Sequence, residues 1–388
     1  MECIFIHDFR SYKKNGEVYT TNISYEILKK RYIDVFGKLY ILNRSGVLSS
    51  SSNEKDLVKA SGKNVIFIDE IGIFNPFSFI FNFLKIRKIV QKNVEKSEYV
   101  IIRLDSFLGL IAAGYSRKKN KRYLIEVVGC VWDSFWNKGI WGKIIAMPLL
   151  KKMQYEIKQA PYVVYVTKKF LQNRYPTNGK NTSISNVQLS KLDSNILRKR
   201  IDRIKNYDER KIYKIVTIAS VDVRYKGQEA VIKALFELKK KGKTNFQYHL
   251  IGGGKGDFLR RLVCKLNINE QVFFHGSMNH NKVMDFLNKC DIYIQPSKQE
   301  GLPRSLIEGM SRGLLCYGTN IAGIPELLEE KMLFSSKRKG YIELAQKLEK
   351  INKNIFLEQA ELNFKKAKNY EEDYLEKNRR EFFRAFKK

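Results

Sequence analysis

No two cysteines in this chain are spaced as C-x-x-C. The five present (Cys3, Cys130, Cys264, Cys290, Cys316) are scattered and odd in number, which argues against a disulfide framework or a zinc site and fits a reducing cytoplasm. Seven prolines and 24 glycines among 388 residues exclude collagen-like and low-complexity classes. No window approaches the roughly 18 uninterrupted apolar residues of a transmembrane helix. The nearest stretch, 71–86, is broken by Asn75, Pro76, Ser78 and Asn82 and suits a membrane surface better than a span. The N-terminus MECIFIHDFRSYKK is acidic at position 2 and its apolar run is too short for a signal peptide. Negative charge is also scarce: 40 Asp+Glu face 72 Lys+Arg, a net charge of +32. Such a surplus attracts nucleic acid, an anionic membrane face or phosphorylated substrates, unless it reflects a compositional drift towards lysine.

Apolar and aromatic residues are plentiful, at 44% and 12%, so the chain is globular. Its length suggests two domains of roughly 100–200 residues each. In the first half, apolar runs at 3–6, 38–42, 64–68, 99–103, 123–128 and 162–166 read as strands, with a helix over 24–36. This alternation predicts a parallel sheet covered by helices. The polar, highly charged run 191–211 reads as an inter-domain connection. The pattern then restarts with strands at 212–220, 246–251, 272–275, 291–295 and 314–317 and helices at 228–240, 258–266, 281–288 and 305–312, a doubly wound Rossmann-like arrangement. The expected organisation is an α/β chain with an acceptor-binding domain over 1–190, a connection over 191–211, a nucleotide-sugar-binding domain over 212–369 and a helix over 370–388. Phe382, Phe383 and Phe386 give that last helix an apolar stripe.

The informative stretch is 294–326, IQPSKQEGLPRSLIEGMSRGLLCYGTNIAGIPE. A strand ends at Gln295-Pro296-Ser297, and Glu300-Gly301-Leu302-Pro303 opens a helix that carries Glu308. The unsatisfied amides from Gly301 through Arg304 to Ser305 face outward at the positive end of the helix dipole, and Gly301 lets the backbone approach a ligand. Glu300 sits just before those amides. Glu308, about one turn into the helix, is placed to accept two hydrogen bonds from a vicinal diol. Within P-S-x-x-E-G-x-P-x-x-x-x-E-x-M-x-x-G the two carboxylates read as a nucleotide-sugar grip rather than as a solvated pair.

This segment resembles the signature of family 4 glycosyltransferases, retaining enzymes of the GT-B fold. The resemblance covers 212 to about 330 well, and 126–136 and 165–179 resemble bacterial polysaccharide-assembly members. It implies two Rossmann-like doubly wound domains facing across a cleft, with the C-terminal helix returning to the first. It implies that Glu308 holds the donor ribose, that Glu300 contacts the transferred sugar as a catalytic residue, and that the amides of Gly301, Leu302 and Pro303 serve the sugar and diphosphate. Lys226, directly before Gly227, matches the family lysine on the diphosphate. The family arginine position falls on Ser220, a departure, and Arg224 either supplies the missing guanidinium or is an exposed loop cation. Gly254, in Gly252-Gly253-Gly254-Lys255-Gly256, resembles the family's glycine turn or is a plain turn. Met278 lies in His275-Gly276-Ser277-Met278, where the family backbone meets the base. Gly16 stands where a glycine loop near acceptor and donor phosphate would follow the first strand. Many members carry a site histidine in a loop that here reads Val131-Trp132-Asp133-Ser134. Asp133 is the catalytic candidate in its place, or else a helix N-cap.

Trp132, Trp136 and Trp141 fall within ten residues and Lys143 follows, a mixture that suits an interfacial helix on anionic lipid or the packing of a cleft wall. Trp136, Trp141 and Lys143 are the membrane-facing candidates. The expected activity is retaining transfer of a hexosyl or N-acetylhexosaminyl group from a nucleotide-diphosphate donor, a UDP-sugar foremost. The expected acceptor is a lipid-linked oligosaccharide of capsule, O-antigen or exopolysaccharide synthesis, at the inner face of the cytoplasmic membrane. No D-x-D occurs, so neutralisation of the leaving diphosphate by cations and amides, without metal or other cofactor, is expected. Nucleic acid is not an expected partner, because lysine is dispersed and no recognition motif appears. The alternatives are a nucleotide-sugar epimerase on the same fold and a non-catalytic basic binding protein.

Overall fold

The computed structural model describes residues 1–21, 23–47, 57–73, 76–136, 139–208 and 211–388. They divide into two compact units, Met1–Ile184 with Glu376–Lys388, and Ser185–Leu375.

Unit 1 contains strands β1 (Cys3–Lys14), β2 (Glu17–Thr20), β3 (Leu39–Val47), β4 (Val58–Lys59), β5 (Val65–Ile68), β6 (Tyr99–Leu104), β7 (Arg122–Val127), β8 (Tyr162–Tyr165) and β9 (Lys180–Ser183). Its parallel core runs β5-β3-β1-β6-β7-β8-β9. β6 is buried along its whole length, as a parallel strand covered on both faces must be, and it is apolar except for Arg103, whose charge is met by Glu126. β1 extends past the expected end at Ile6. Its register against β3 shifts between Ile6 and Arg10, and the strand continues through Lys14 before turning back as antiparallel β2. Asn15 and Gly16 take φ of 50° and 77°, the pair of positive values a tight hairpin turn requires. The bulge aims Asp8 at the start of the helix Phe107–Lys118, where its carboxylate accepts from the N–H groups of Phe107 (2.8 Å) and Leu108 (3.0 Å).

The helix expected over 24–36 is capped by Ser24 but interrupted by a π turn at Lys29–Ile33, inside which Arg31 and Tyr32 are buried. From Glu376 onward the C-terminal helix Glu372–Lys387 belongs to unit 1. Its apolar stripe explains the return: Phe383 packs on Phe36, and Phe386 packs on Tyr99 and Tyr162.

Unit 2 holds β10 (Tyr213–Ile218), β11 (Phe246–Ile251), β12 (Val272–Phe274), β13 (Ile292–Gln295), β14 (Leu315–Thr319) and β15 (Leu333–Phe334), all parallel, in the order β12-β11-β10-β13-β14-β15. The order reverses at β10 and β13, and there the loops leave the carboxyl ends in opposite directions and open a crevice. The run 191–211 is built into this unit. Its helix Ser194–Lys205 buries Arg200, whose guanidinium donates to the carbonyls of Leu287, Asn288, Cys290 and Arg312. Those carbonyls end or follow the helices His280–Lys289 and Arg304–Met310, where a cation and its donors are favoured.

A histidine pair makes unit 2 acid-sensitive. His249 of β11 is 7% exposed, stacks on Phe273, and places Nδ1 3.0 Å from Nε2 of His275. Burial, with His275 and Lys214 nearby, pushes its pKa down to about 4. The unfolded chain then binds more protons than the folded one between the ordinary histidine value near 6.5 and pH 4. Stability is therefore full above about pH 6.5 and falls as the pH drops through that window, by about 1–2 kcal/mol after allowance for solvent screening. A His249→Phe variant is expected to flatten this slope in thermal melts between pH 7 and 4. An unchanged slope would place the acid sensitivity elsewhere.

Candidate active site

The loops at the β10–β13 crevice bring together residues distant in sequence. After β10 the chain makes a short 3-10 turn, Arg224–Lys226, and Gly227 follows with φ of 74°. A Cβ on Gly227 would lie 1.9 Å from the carbonyl oxygen of Pro296, so only glycine allows the two loops this approach. The N–H of Lys298 donates to the carbonyl of Tyr225 at 2.7 Å and ties them together. The result is an ion pair: Lys226 Nζ lies 2.7 Å from Glu300 Oε1, with side chains 24% and 12% exposed. The same oxygen accepts from Ser297 Oγ (2.8 Å) and Gln295 Nε2 (3.0 Å).

Pro303 is the buried N-cap of the helix Arg304–Met310. Having no N–H, it cannot donate as the sequence reading had it. Gly301, Leu302 and Arg304 carry the N–H groups at this helix start. Gly301 in turn accepts at its carbonyl from the N–H of Gly323 (3.0 Å), next to Ala322, whose φ of 51° is unusual for a residue with a side chain. Glu308 is mostly buried, with His280 Nδ1 3.8 Å from its Oε1. No hydrogen bond reaches its carboxylate among the described residues. Burial raises its pKa, against the pull of His280, Arg304 and Arg312. A buried carboxylate with open acceptor sites suits a ligand with paired hydroxyls.

The neighbouring strand ends complete the rim. Gly252 and Gly254 take φ of 152° and 119°. Asp222 accepts from the N–H groups of Lys255 (3.1 Å) and Gly256 (2.8 Å), and Ser220 Oγ donates to the carbonyl of Gly253 (3.0 Å). Ser220 thus serves as a loop tie. The guanidinium of Arg224 stacks over the ring of Phe258, 4.3 Å from its centroid. Met278 is half-buried in the loop after β12, and a Cβ on Gly253 would come within 2.9 Å of Ser277 in that loop. The structure therefore gathers Lys226, Glu300 and Gly301 at the crevice and sets Glu308 one turn along the following helix. Sequence reasoning missed Gln295, Ser297, Asp222 and His280. Gln295 and Ser297 stand at the end of β13 just before Glu300, a spacing that marks a strand-end cluster.

Gly16, the proposed phosphate-loop glycine of unit 1, is the hairpin tip described above, and a Cβ there would meet nothing within 4 Å. Asp133 is the third residue of the helix Val131–Trp136 and so not its N-cap. It is half-buried, and burial raises its pKa against the charge of Arg174 and a bond with Cys130. Asp105, overlooked in the sequence, follows β6 directly and is exposed. A Cβ on Gly129, after β7, would lie 2.7 Å from its Oδ2. It occupies the carboxyl end of a strand at the point where strand order reverses, between β1 and β6. The backbones of Trp136 and Trp141 lie in the helices Val131–Trp136 and Gly139–Lys158, and their side chains are outside the described residues. Lys143 is exposed on the second of these helices. Among the described residues no helix is long and apolar enough to cross a membrane.

Two doubly wound α/β units, the second carrying a lysine–glutamate pair at its switch point, define a protein of the GT-B type. Residues 199–369 match the family model described as glycosyl transferases group 1. Protein CapJ of Staphylococcus aureus is 33% identical over 341 residues, covering 87% of this chain and 83% of that protein. The putative colanic acid biosynthesis glycosyltransferase WcaL of Escherichia coli (strain K12) is 30% identical over 122 residues, 30% of each chain. HepE of Anabaena, solved in complex with UDP, superposes with a TM-score of 0.65 at 14% identity, covering 99% of this chain and 100% of its own. The chain belongs to the group 1 glycosyltransferases.

Proposed function

We propose that this glycosyltransferase of bacterial polysaccharide synthesis transfers a hexosyl or N-acetylhexosaminyl group, with retention, from a UDP-sugar to a lipid-linked saccharide at the inner face of the cytoplasmic membrane. Lys226 carries the reading: a cation held by Glu300 at the switch point of a nucleotide-binding type of sheet. Its Nζ meets the donor diphosphate, Glu308 accepts from the ribose hydroxyls, and Glu300 orients the sugar. The bond from the anomeric carbon to the phosphate oxygen breaks as the bond to the acceptor oxygen forms on the same face. The acceptor's proton passes to the departing phosphate. Neutralisation by Lys226 and the N–H groups of Gly301 and Leu302 supports a metal-independent step. Unit 1 holds the acceptor, with Asp105 and Asp133 as its carboxylates for the reacting sugar. The complex of HepE with UDP supports the choice of nucleotide, and the name of WcaL, a putative colanic acid biosynthesis glycosyltransferase, supports a saccharide acceptor.

Calorimetry with UDP, GDP and ADP tests the donor site. One nucleotide, UDP, is expected to bind, and Glu308→Ala to weaken it about 100-fold, the loss of two charge-assisted hydrogen bonds at about 1.5 kcal/mol each. Because burial raises the Glu308 pKa, affinity should fall as the pH drops towards it, and this dependence should vanish in the variant. Equal binding of UDP by both proteins would remove Glu308 from the site.

A further inference from the structure

We propose that unit 2 carries a phosphate site away from the crevice, in a cavity at the amino end of its sheet, between the helix Ser194–Lys205 and the ends of the helices His280–Lys289 and Arg304–Met310. It lies at the opposite end of the strands from Lys226 and Glu300. The inference goes beyond the donor-site reading and does not depend on it.

The cavity measures about 340 Å³. The two helices that end at it precede β13 and β14, and the bare carbonyls of such ends would ordinarily repel an anion. Here those carbonyls are already met. Arg200 donates to Leu287, Asn288, Cys290 and Arg312, and Arg203 to Asn288 and Lys289. Arg203 also pairs with Asp291. Asp193, the carboxylate that lines the cavity, caps its own helix by accepting from the N–H of Asn195 at 2.9 Å.

Two lining cations are then left over, Lys199 and Arg312, and neither forms an ion pair among the described residues. Lys199 is exposed. Arg312 is half-buried, and no acceptor reaches its enclosed Nε. Burial pulls its pKa below the ordinary guanidinium value, against the charges of Asp285 and Glu308. An enclosed guanidinium donor without an acceptor is uncommon and points to a missing anion.

Charge selects that anion. Two surplus cations match a phosphate dianion, for which a guanidinium fork beside a compact ammonium is the usual recognition set. The amides of Asn195 and Asn288 line the same cavity and suit the remaining phosphate oxygens. The free ion and a phosphate monoester share this chemistry.

The test is calorimetry on the full chain carrying Lys226→Ala, which takes the crevice cation out of the measurement. The probes are inorganic phosphate, glycerol 3-phosphate and acetate at equal ionic strength. One phosphate group is expected to bind per chain, more tightly than acetate. Lys199→Gln and Arg312→Gln should each weaken it by about tenfold or more, the loss of a charge-assisted hydrogen bond. The exposed Lys199 makes its variant safe for folding, and melts should confirm this for both. Tighter binding of the ester would identify a phosphorylated metabolite as the occupant, and tighter binding of phosphate the free ion; either supports the site. Absence of phosphate binding would overturn the proposal, as would full affinity in either variant or equal binding of acetate. Phosphate binding in the unmodified chain that Lys226→Ala abolishes would also overturn it, by placing the anion in the crevice. Failure of UDP to bind the unmodified chain would instead count against the donor-site reading and leave this site standing.

Discussion

Lys226→Ala is expected to lower kcat/KM by about 10²–10³-fold, mostly through kcat. The diphosphate gains charge as the anomeric bond breaks, and a preorganised donor aimed at that charge is worth about 3–4 kcal/mol in a water-poor site. Nothing comparable should happen to the fold. Glu300 keeps Gln295 Nε2 and Ser297 Oγ as donors after the lysine is gone, so its carboxylate is not left unpaired and the cost to the fold is held to about 1 kcal/mol. The melting temperature should therefore move by less than about 4 °C. Lys226→Arg restores charge on a planar fork in place of a compact ammonium, so partial recovery of kcat is expected. Initial rates with a UDP-sugar, run beside thermal melts, separate the possibilities. A raised KM with unchanged kcat would show that Lys226 binds donor and transition state equally. A loss of less than tenfold would show that the leaving group is neutralised by other groups.

Unit 2 was the more legible half of this sequence because its elements obey local rules. The helix Gln228–Lys240 and the strand Phe246–Ile251 fall where apolar periodicity puts them, and the Glu300–Glu308 motif sits within one strand-turn-helix. What the sequence concealed was long-range. Pairing of Lys226 with Glu300 depends on a glycine contact between Gly227 and Pro296, which no local pattern announces. Arg200 looked like one cation among many in a charged run, yet it is buried against the ends of two other helices. In unit 1 the strand expected to stop at Ile6 continues to Lys14, because the segment from His7 to Phe9 forms a bulge rather than a loop. That bulge moved the expected glycine loop to a hairpin tip. Asp105 escaped notice for a related reason: it directly follows the strand 99–104, and its importance appears only when β6 is seen to lie beside β1.

Glu126→Ala is expected to destabilise unit 1 by about 3–5 kcal/mol, a fall of about 6–20 °C in its melting temperature. Glu126 is 2% exposed. It accepts from Arg103 Nε at 2.9 Å and from the Tyr32 hydroxyl at 2.9 Å, and Arg379 Nη1 stands 4.0 Å away. Arg379 and Arg31 each reach Glu376 at 3.1 Å. Three guanidinium groups thus share two carboxylates in the interior, and deleting one carboxylate leaves buried charge without a counterion. Burial alone would raise the Glu126 pKa, but Arg103 and Arg379 outweigh it and hold the value below the ordinary range. Its stabilising contribution is therefore present above the unfolded-state pKa near 4.5 and lost as the pH falls through the lower folded value. Glu126→Gln keeps the shape and two of the acceptor functions without the charge, so its cost isolates the electrostatic share. Because Arg379 lies in the helix Glu372–Lys387, trypsin should cut that helix first in Glu126→Ala, before the remainder of unit 1. A loss under about 1 kcal/mol, with the helix still protected, would show that Phe383 and Phe386 hold it unaided and that water reaches the charges when Glu126 is removed.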